Sequence, residues 1–568
     1  MAKRVPSPSS PSLPTVPFLT SKNLSAHLAL VVTAVIFGSL VRVWNIPTAF
    51  LFGDELHSLR LLGAGFQKVI STYDTWGTGL ALPAMQLALT KLLGFNHWSI
   101  RLPALLGGLA ALGSLYIVAK PIIGRMGAAL AVCFLAVNPI HIFYSGFGRS
   151  YALMCFLSLL LLGCLHRMTE RQGVRKLHYV TLALLCGLLP YLHLVSLGLV
   201  LPVVGATGLV LGLTPPIRAR LGWFVASVVA GGALSVLLYL PAWESTLHFI
   251  RTKTSTEYYG QFGVVDVVTL LAGTHAGAYI LLLTAPVLAA LFLKKHGRSG
   301  VPIVVGFVGP PLLLVLAKPA GDAYAYARYL MSTIPALTLL TAWGVVACVD
   351  RCVDSKSVRR VTSLTLGVAL SSLMFLAGGY GLRHTPDGPY VNTYISMYPL
   401  PAFDVAYVDQ PAFYQTLQNG NESVKIIETP ALGNRSRHLY RAYYLQHRRE
   451  TYLAFYPMEL SPVPAGPYVW LGAPDWHLRT DADYLIVHLD VLEEVHRYWK
   501  FVYEQYGELI DNGPSKAYMT RHLRYYRNRG LPKPSPAFLQ HLTTKLGVPF
   551  HADADMLVWK LRSKERRP

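Results

Sequence analysis

Apolar residues gather into long runs separated by short basic loops over the first two thirds of the chain, and the pattern stops after Tyr380. A helix needs about 20 apolar residues to cross a bilayer. Eleven runs approach that length, near 26–45, 101–119, 127–143, 150–166, 178–191, 192–213, 221–242, 275–293, 300–317, 329–349 and 361–381. They predict an α-helical polytopic membrane protein with about eleven transmembrane helices. The fifth and sixth runs meet around Pro190-Tyr191-Leu192-His193. A further stretch, Leu80 to Leu93, is too short to span and suits an interfacial helix.

Beyond the turn-rich linker Arg383 to Pro389 the pattern changes to alternating short strands and helices. Val405–Val408, Val424–Ile427, Tyr484–Leu489 and Met556–Leu561 read as strands, and Arg437–His447 and Val491–Tyr506 as helices. This alternation predicts a C-terminal soluble α/β domain. The expected organisation is a disordered cytoplasmic tail rich in Pro and Ser (1–25), a membrane domain (26–381) with a long first outer loop (45–98), and the α/β domain (382–568). The domain carries no Gly-rich nucleotide loop. Its histidines, among them His438, His447, His488 and His496, lack metal-ligand spacing, so a scaffold or a lid is its expected role.

Composition agrees with a membrane protein. Of 568 residues 53% are hydrophobic and only 14% charged. The formal charge of +21 could suggest a nucleic-acid partner, but much of the excess sits in short loops between apolar runs, where Lys and Arg set topology. With a cytoplasmic N-terminus, the loops expected inside are 120–125, 166–178, 215–220, 294–298 and 350–360, and each is basic. An odd number of spans then puts the C-terminus outside. The first apolar run lacks a clear small-residue cleavage site and reads as a retained anchor. All six cysteines fall in or beside predicted spans, none beyond Cys352, and buried apolar positions are expected for them.

This topology collects polar residues on the outer face. The first outer loop carries Asp54, Glu55 and His57; the second Arg149 and Tyr151; the third His193; the fifth Lys318, Tyr326, Arg328 and Tyr329. Each has a bland reading. Asp54 and Glu55 could cap the next helix, Arg149 and Arg328 could snorkel to headgroups, and the tyrosines could belong to an interfacial belt. Their convergence on one face suits an anionic amphiphile: cations for a lipid phosphate, and a carboxylate to take a proton from an acceptor, orient it or hold a divalent cation.

Four segments carry a family resemblance: Gly53-Asp54-Glu55, His97-Trp98-Ser99-Ile100-Arg101-Leu102-Pro103, Asn138-Pro139-Ile140-His141 through Arg149-Ser150-Tyr151, and Ala327-Arg328-Tyr329-Leu330 through Pro335. Together, over about 26–349, they resemble the GT-C glycosyltransferases, in particular the protein O-mannosyltransferase and lipid A aminoarabinose transferase (ArnT-like) group. The resemblance implies a polyprenyl-phosphate sugar donor and inverting single displacement onto a glycan, lipid or protein acceptor. It implies Asp54 as catalytic carboxylate with Glu55 in support, and Arg149, His193, Lys318 and Arg328 toward the donor. His57, Tyr151, Tyr326 and Tyr329 join them as substrate-binding candidates. Metal use varies in this superfamily, so a divalent ion at Asp54 and Glu55 stays open. Many members show a Pro-Pro pair where this chain reads Gly79-Leu80-Ala81-Leu82-Pro83. The expected setting is a bacterial inner membrane, with the site and the C-terminal domain outside the cytoplasm. A transporter or flippase of a lipid-linked saccharide is the alternative. Against it, no internal repeat is clear, and the charges gather at span ends rather than at the midplane.

Overall fold

The computed structural model describes residues 26–43, 46, 55–62, 65–73, 79–94, 97–170, 173–255, 263–272, 275–317, 323–377, 411–419, 424–429, 450–453, 482–491, 493–494, 497 and 533–561. Asp54 and Lys318 lie outside these residues, as do the tail 1–25, the strand expected at Val405–Val408 and the helix expected at Arg437–His447.

The membrane half is helical. In order it comprises α1 (Ala26–Val43), α2 (Glu55–Leu62), α3 (Gly65–Ser71), α4 (Ala81–Leu93), α5 (His97–Val137), α6 (Pro139–Ser145), α7 (Tyr151–Thr169) and α8 (Lys176–Leu192). Then come α9 (Leu197–Leu213), α10 (Leu221–Tyr239), α11 (Trp243–Ser255), α12 (Val264–Ala272), α13 (His275–His296), α14 (Val301–Ala317), α15 (Ala323–Tyr329), α16 (Ile334–Cys352) and α17 (Lys356–Ala377). Among the described residues, six helical stretches are long and apolar enough to cross a membrane unaided: 98–137, 151–169, 194–213, 215–252, 275–317 and 325–352. Leu201, Leu209, Val229, Leu237, Leu283 and Leu316 are all well exposed on these stretches. So much outward apolar surface is tolerable only against lipid, and the chain is a multi-pass membrane protein.

The long α5 is two limbs. Gly124 has φ 77°, a left-handed value that a side chain resists, and it breaks the run between Lys120 and Arg125. The third predicted run, 127–143, is itself interrupted at Asn138. There the Asn138 side chain accepts from the His141 N–H at 3.0 Å and Pro139 opens α6, so capping chemistry ends one helix and starts the next. The α5 helix packs against α1, α7, α16 and α17, α8 pairs with α10, and α9 with α14. Four cysteines are buried as expected, but Cys348 and Cys352 are exposed, because the last turn of α16, with Asp350 and Arg351, leaves the packed bundle.

In the C-terminal part, α18 (Ala412–Asn419) and α19 (Pro536–Leu546) accompany a five-stranded sheet of β1 (Lys425–Thr429), β2 (Glu450–Leu453), β3 (Tyr484–His488), β4 (His551–Ala552) and β5 (Met556–Lys560), in the order β2-β1-β3-β5-β4. The strands β2, β1 and β3 run parallel, whereas β5 and β4 are antiparallel additions. Phe538 and Leu542 of α19 pack on Ile427, Leu485, Val487 and Trp559.

Candidate functional site

Glu55 opens α2 and is fully buried. Its carboxylate accepts from both Arg101 Nε and Arg101 Nη2 at 2.8 Å, and from the Gly148 N–H at 2.7 Å. Three of the motifs singled out in the sequence therefore meet at one carboxylate. Arg101 is also fully buried and donates to the Ile46 carbonyl at 3.1 Å. A Cβ at Gly148 would lie 3.0 Å from Glu55 Oε1 and 3.0 Å from Ile100 Cγ2, so the close approach of backbone to carboxylate favours glycine. Gln86 of α4 closes the arrangement, donating to the Ile100 carbonyl at 2.9 Å and toward that of Gly148 at 3.3 Å.

One residue beyond Gly148 stands Arg149, buried, at the turn into α7. Its guanidinium carbon lies 5.8 Å from the centroid of the Tyr151 ring, and that of Arg328, at the end of α15, lies 5.9 Å from the same centroid. Both are within cation–π range, and Arg328 also lies 5.5 Å from the Tyr329 ring centroid. The Tyr151 ring contacts His193 at 5.0 Å and Tyr144 at 4.7 Å between centroids. His193 reaches Tyr329 at 6.2 Å, and Tyr329 reaches Tyr326 at 6.5 Å.

His193 sits where α8 gives way to the 3₁₀ turn Leu194–Ser196. Its Nδ1 accepts from the Val195 N–H at 3.2 Å, which assigns the proton of the neutral ring to Nε2. The structure thus gathers Arg149, Tyr151, His193, Tyr326, Arg328 and Tyr329 from three separated parts of the chain, with Glu55 bonded to the residue before Arg149. His57 lies in the first turns of α2 without a described side chain, and Asp54 and Lys318 are outside the described residues.

Two features escaped the sequence reading. Arg42, near the end of α1, donates to the carbonyls of Gly38, Leu135 and Ala136 at 2.7–2.9 Å and to His141 Nδ1 at 2.7 Å, tying α1 to the α5–α6 break. Tyr73, just after α3, is buried with its ring against Phe249 and Tyr239. An Arg inside an apolar run with buried carbonyls downstream could have flagged the first; nothing local distinguishes the second.

As for a metal, both Glu55 oxygens are engaged by Arg101, and among the described residues no three His, Cys, Asp or Glu side chains stand where they could hold an ion. Asp54, the other carboxylate of the pair, lies outside the described residues.

The family model for dolichyl-phosphate-mannose-protein mannosyltransferase matches residues 79–243, the segment that holds Arg101, Gly148, Arg149, Tyr151 and His193. Two of the four segments that carry the resemblance, 97–103 and 138–151, fall within that match. Among solved structures, ArnT from Cupriavidus metallidurans is similar over 96% of this chain and 100% of its own. In the apo state it has 13% identity and a TM-score of 0.48, and bound to undecaprenyl phosphate 14% and 0.49. The Archaeoglobus fulgidus oligosaccharyltransferase, in complex with Zn and sulfate, is similar over 82% of this chain and 68% of its own, at 13% identity and a TM-score of 0.42. No curated protein matches the chain in sequence.

Proposed function

We propose that this chain transfers a sugar from a polyprenyl-phosphate donor to a glycan, lipid or protein acceptor at the outer face of the membrane. The observation that carries this reading is the meeting of Arg149 and Arg328 on one tyrosine ring beside the Glu55 clamp. Two guanidinium groups converging in a partly buried site suit a phosphate, whose oxygens accept charge-assisted hydrogen bonds. The donor's lipid tail would remain in the bilayer.

In the proposed reaction an acceptor hydroxyl attacks the anomeric carbon from the face opposite the phosphate. The new C–O bond forms as the bond from carbon to phosphate oxygen breaks, which inverts the anomeric centre. Arg149 and Arg328 stabilise the charge growing on the departing polyprenyl phosphate. Asp54 takes the acceptor proton as general base. Glu55, held by Arg101 and Gly148, positions the turn that carries Arg149 and the start of α2, and acts through them. His193, Tyr151, Tyr326 and Tyr329 wall the sugar, and Lys318 and His57 are further candidates for substrate contact.

The same reading takes all eleven apolar runs as spans with the N-terminus inside. The region 382–568, with its sheet, then lies outside the cytoplasm as a scaffold or lid. A bacterial inner membrane is the setting that suits it.

The test is transfer of radiolabelled sugar from polyprenyl-phosphate donors by purified protein, wild type against Asp54→Asn. A general base contributes roughly 10²–10⁴-fold, so a folded Asp54→Asn should lose at least about 100-fold in turnover. Undiminished turnover would remove Asp54 from the chemistry.

A further inference from the structure

Tyr73, in the segment after α3, approaches the arginine cluster from a direction the motifs do not cover, close enough to feel the charge of Arg149. It is 2% exposed, and its hydroxyl has no hydrogen-bond partner among the described residues. A buried phenol normally finds a partner, so an orphaned one calls for an explanation. Packing does not require the oxygen, because the ring is already held by Phe249 at 4.8 Å and Tyr239 at 6.2 Å between centroids.

The backbone is fixed just as firmly. The Tyr73 N–H donates to Ser245 Oγ at 2.8 Å, and that hydroxyl donates to the Ala242 carbonyl at 2.9 Å. Further along, Gly79 (φ 77°) presses against the α8 turn, where a Cβ would meet the Leu192 carbonyl oxygen at 2.4 Å. Tyr239 is tied to the same turn, donating to the Pro190 carbonyl at 2.7 Å. The outer segment thus meets the corner that presents His193 directly at Gly79 and, at Tyr73, through the Tyr239 ring.

The phenol also lies within electrostatic range of Tyr239 and of three residues of the cluster, Tyr151, Arg149 and Tyr329. Burial, with the neighbouring phenols adding, holds it well above the usual tyrosine range despite the opposing pull of Arg149, so it stays a donor at any working pH.

We propose that Tyr73 is a substrate-contacting residue whose O–H donates to an oxygen of the glycosyl phosphate bound at Arg149 and Arg328. This rests on the donor reading above. The donor then supplies the hydroxyl with the partner that the described residues do not.

The test compares wild type with Tyr73→Phe, which removes one oxygen and keeps the ring. Three readouts are taken: thermal stability, binding of a sugar-free polyprenyl phosphate, and kcat and KM for sugar transfer from the polyprenyl-phosphate donor. Unchanged stability with a loss of about 10- to 100-fold in binding or in kcat/KM, the scale of one hydrogen bond to a charged group, is expected. Loss already seen with the sugar-free lipid assigns the contact to phosphate; loss seen only in transfer assigns it to the sugar. Equal binding and equal kcat/KM for the two proteins would overturn the proposal while leaving the donor reading intact. A wild type that neither binds the lipid phosphate nor transfers sugar would overturn both.

Discussion

Glu55 with Arg101, and Arg149 with Arg328, are neighbouring charged pairs built on opposite principles. The first joins opposite charges, both fully buried, through two parallel hydrogen bonds, with the Gly148 N–H as a third. The second brings like charges to one aromatic ring. An opposite-charge pair satisfies itself and fixes geometry. A like-charge pair repels, and gains most when an anion comes between its members. On the proposed reading the difference separates two roles: Glu55 and Arg101 build the site, and Arg149 and Arg328 receive what enters it.

The largest expected effect comes from breaking the first pair. Glu55→Gln or Arg101→Met alone leaves a buried partner unmatched, at a cost of about 3–5 kcal/mol, which a thermal unfolding assay in detergent reads as a marked drop in melting temperature. The double variant should regain most of that stability, because a neutral replacement of a buried ion pair is often tolerated. If activity returns with it, Glu55 is scaffold. If stability returns and activity does not, the carboxylate takes part in the reaction and the contrast between the pairs fails.

Gly148→Ala probes the same clamp more gently. Its Cβ would crowd Glu55 Oε1 and Ile100, so a destabilisation of about 1–3 kcal/mol is expected, with a matching fall in transfer. Tyr151→Leu should act on the second pair instead. Removing the ring that both guanidinium groups share should cost about 0.5–2 kcal/mol in donor binding, seen as a raised donor KM at near-normal stability.

A third buried set, in the sheet, is structural in the manner of Glu55 and Arg101. His488 lies 2.9 Å from both Glu494 oxygens, and Tyr414 donates to Glu428 at 3.1 Å. Burial alone would lower the His488 imidazole, but Glu494 and Glu428 outweigh it and hold it at about 10. Burial raises Glu428, against the pull of His488 and Tyr414. Both groups hold protons in the folded sheet that the unfolded chain would release earlier. Their contribution is therefore present below the unfolded values, about 6.5 for His and 4.3 for Glu, and is lost as pH rises through the raised folded values. Hydrogen exchange at β1 and β3 in the full chain, corrected for intrinsic rates, should show less protection at pH 9.5 than at pH 6. His488→Phe should flatten that difference.

Much of this was legible from local pattern. Every one of the eleven apolar runs meets a helix, because hydrophobic length and basic loops are properties of contiguous sequence. Arg149, Tyr151, His193, Arg328 and Tyr329 could be grouped by sidedness alone, since topology brings span ends to one face. What could not be read is pairing across distance. Nothing near Glu55 announces Arg101, forty-six positions away, as its partner. Arg42 looks like a snorkelling terminus until the carbonyls of Leu135 and Ala136 are seen beside it. The β2 strand was missed because Glu450-Thr451-Tyr452-Leu453 is too short and mixed to alternate visibly; its parallel pairing with β1 makes it a strand.

The most direct test of the central claim is the affinity of purified protein for polyprenyl phosphate, measured for wild type, Arg149→Gln and Arg328→Gln at fixed salt. The account predicts that each variant stays folded and binds about 10- to 100-fold more weakly, the scale of a lost charge-assisted hydrogen bond. Equal affinity across the three proteins would contradict it and make the arginine pair, like Glu55 and Arg101, part of the scaffold.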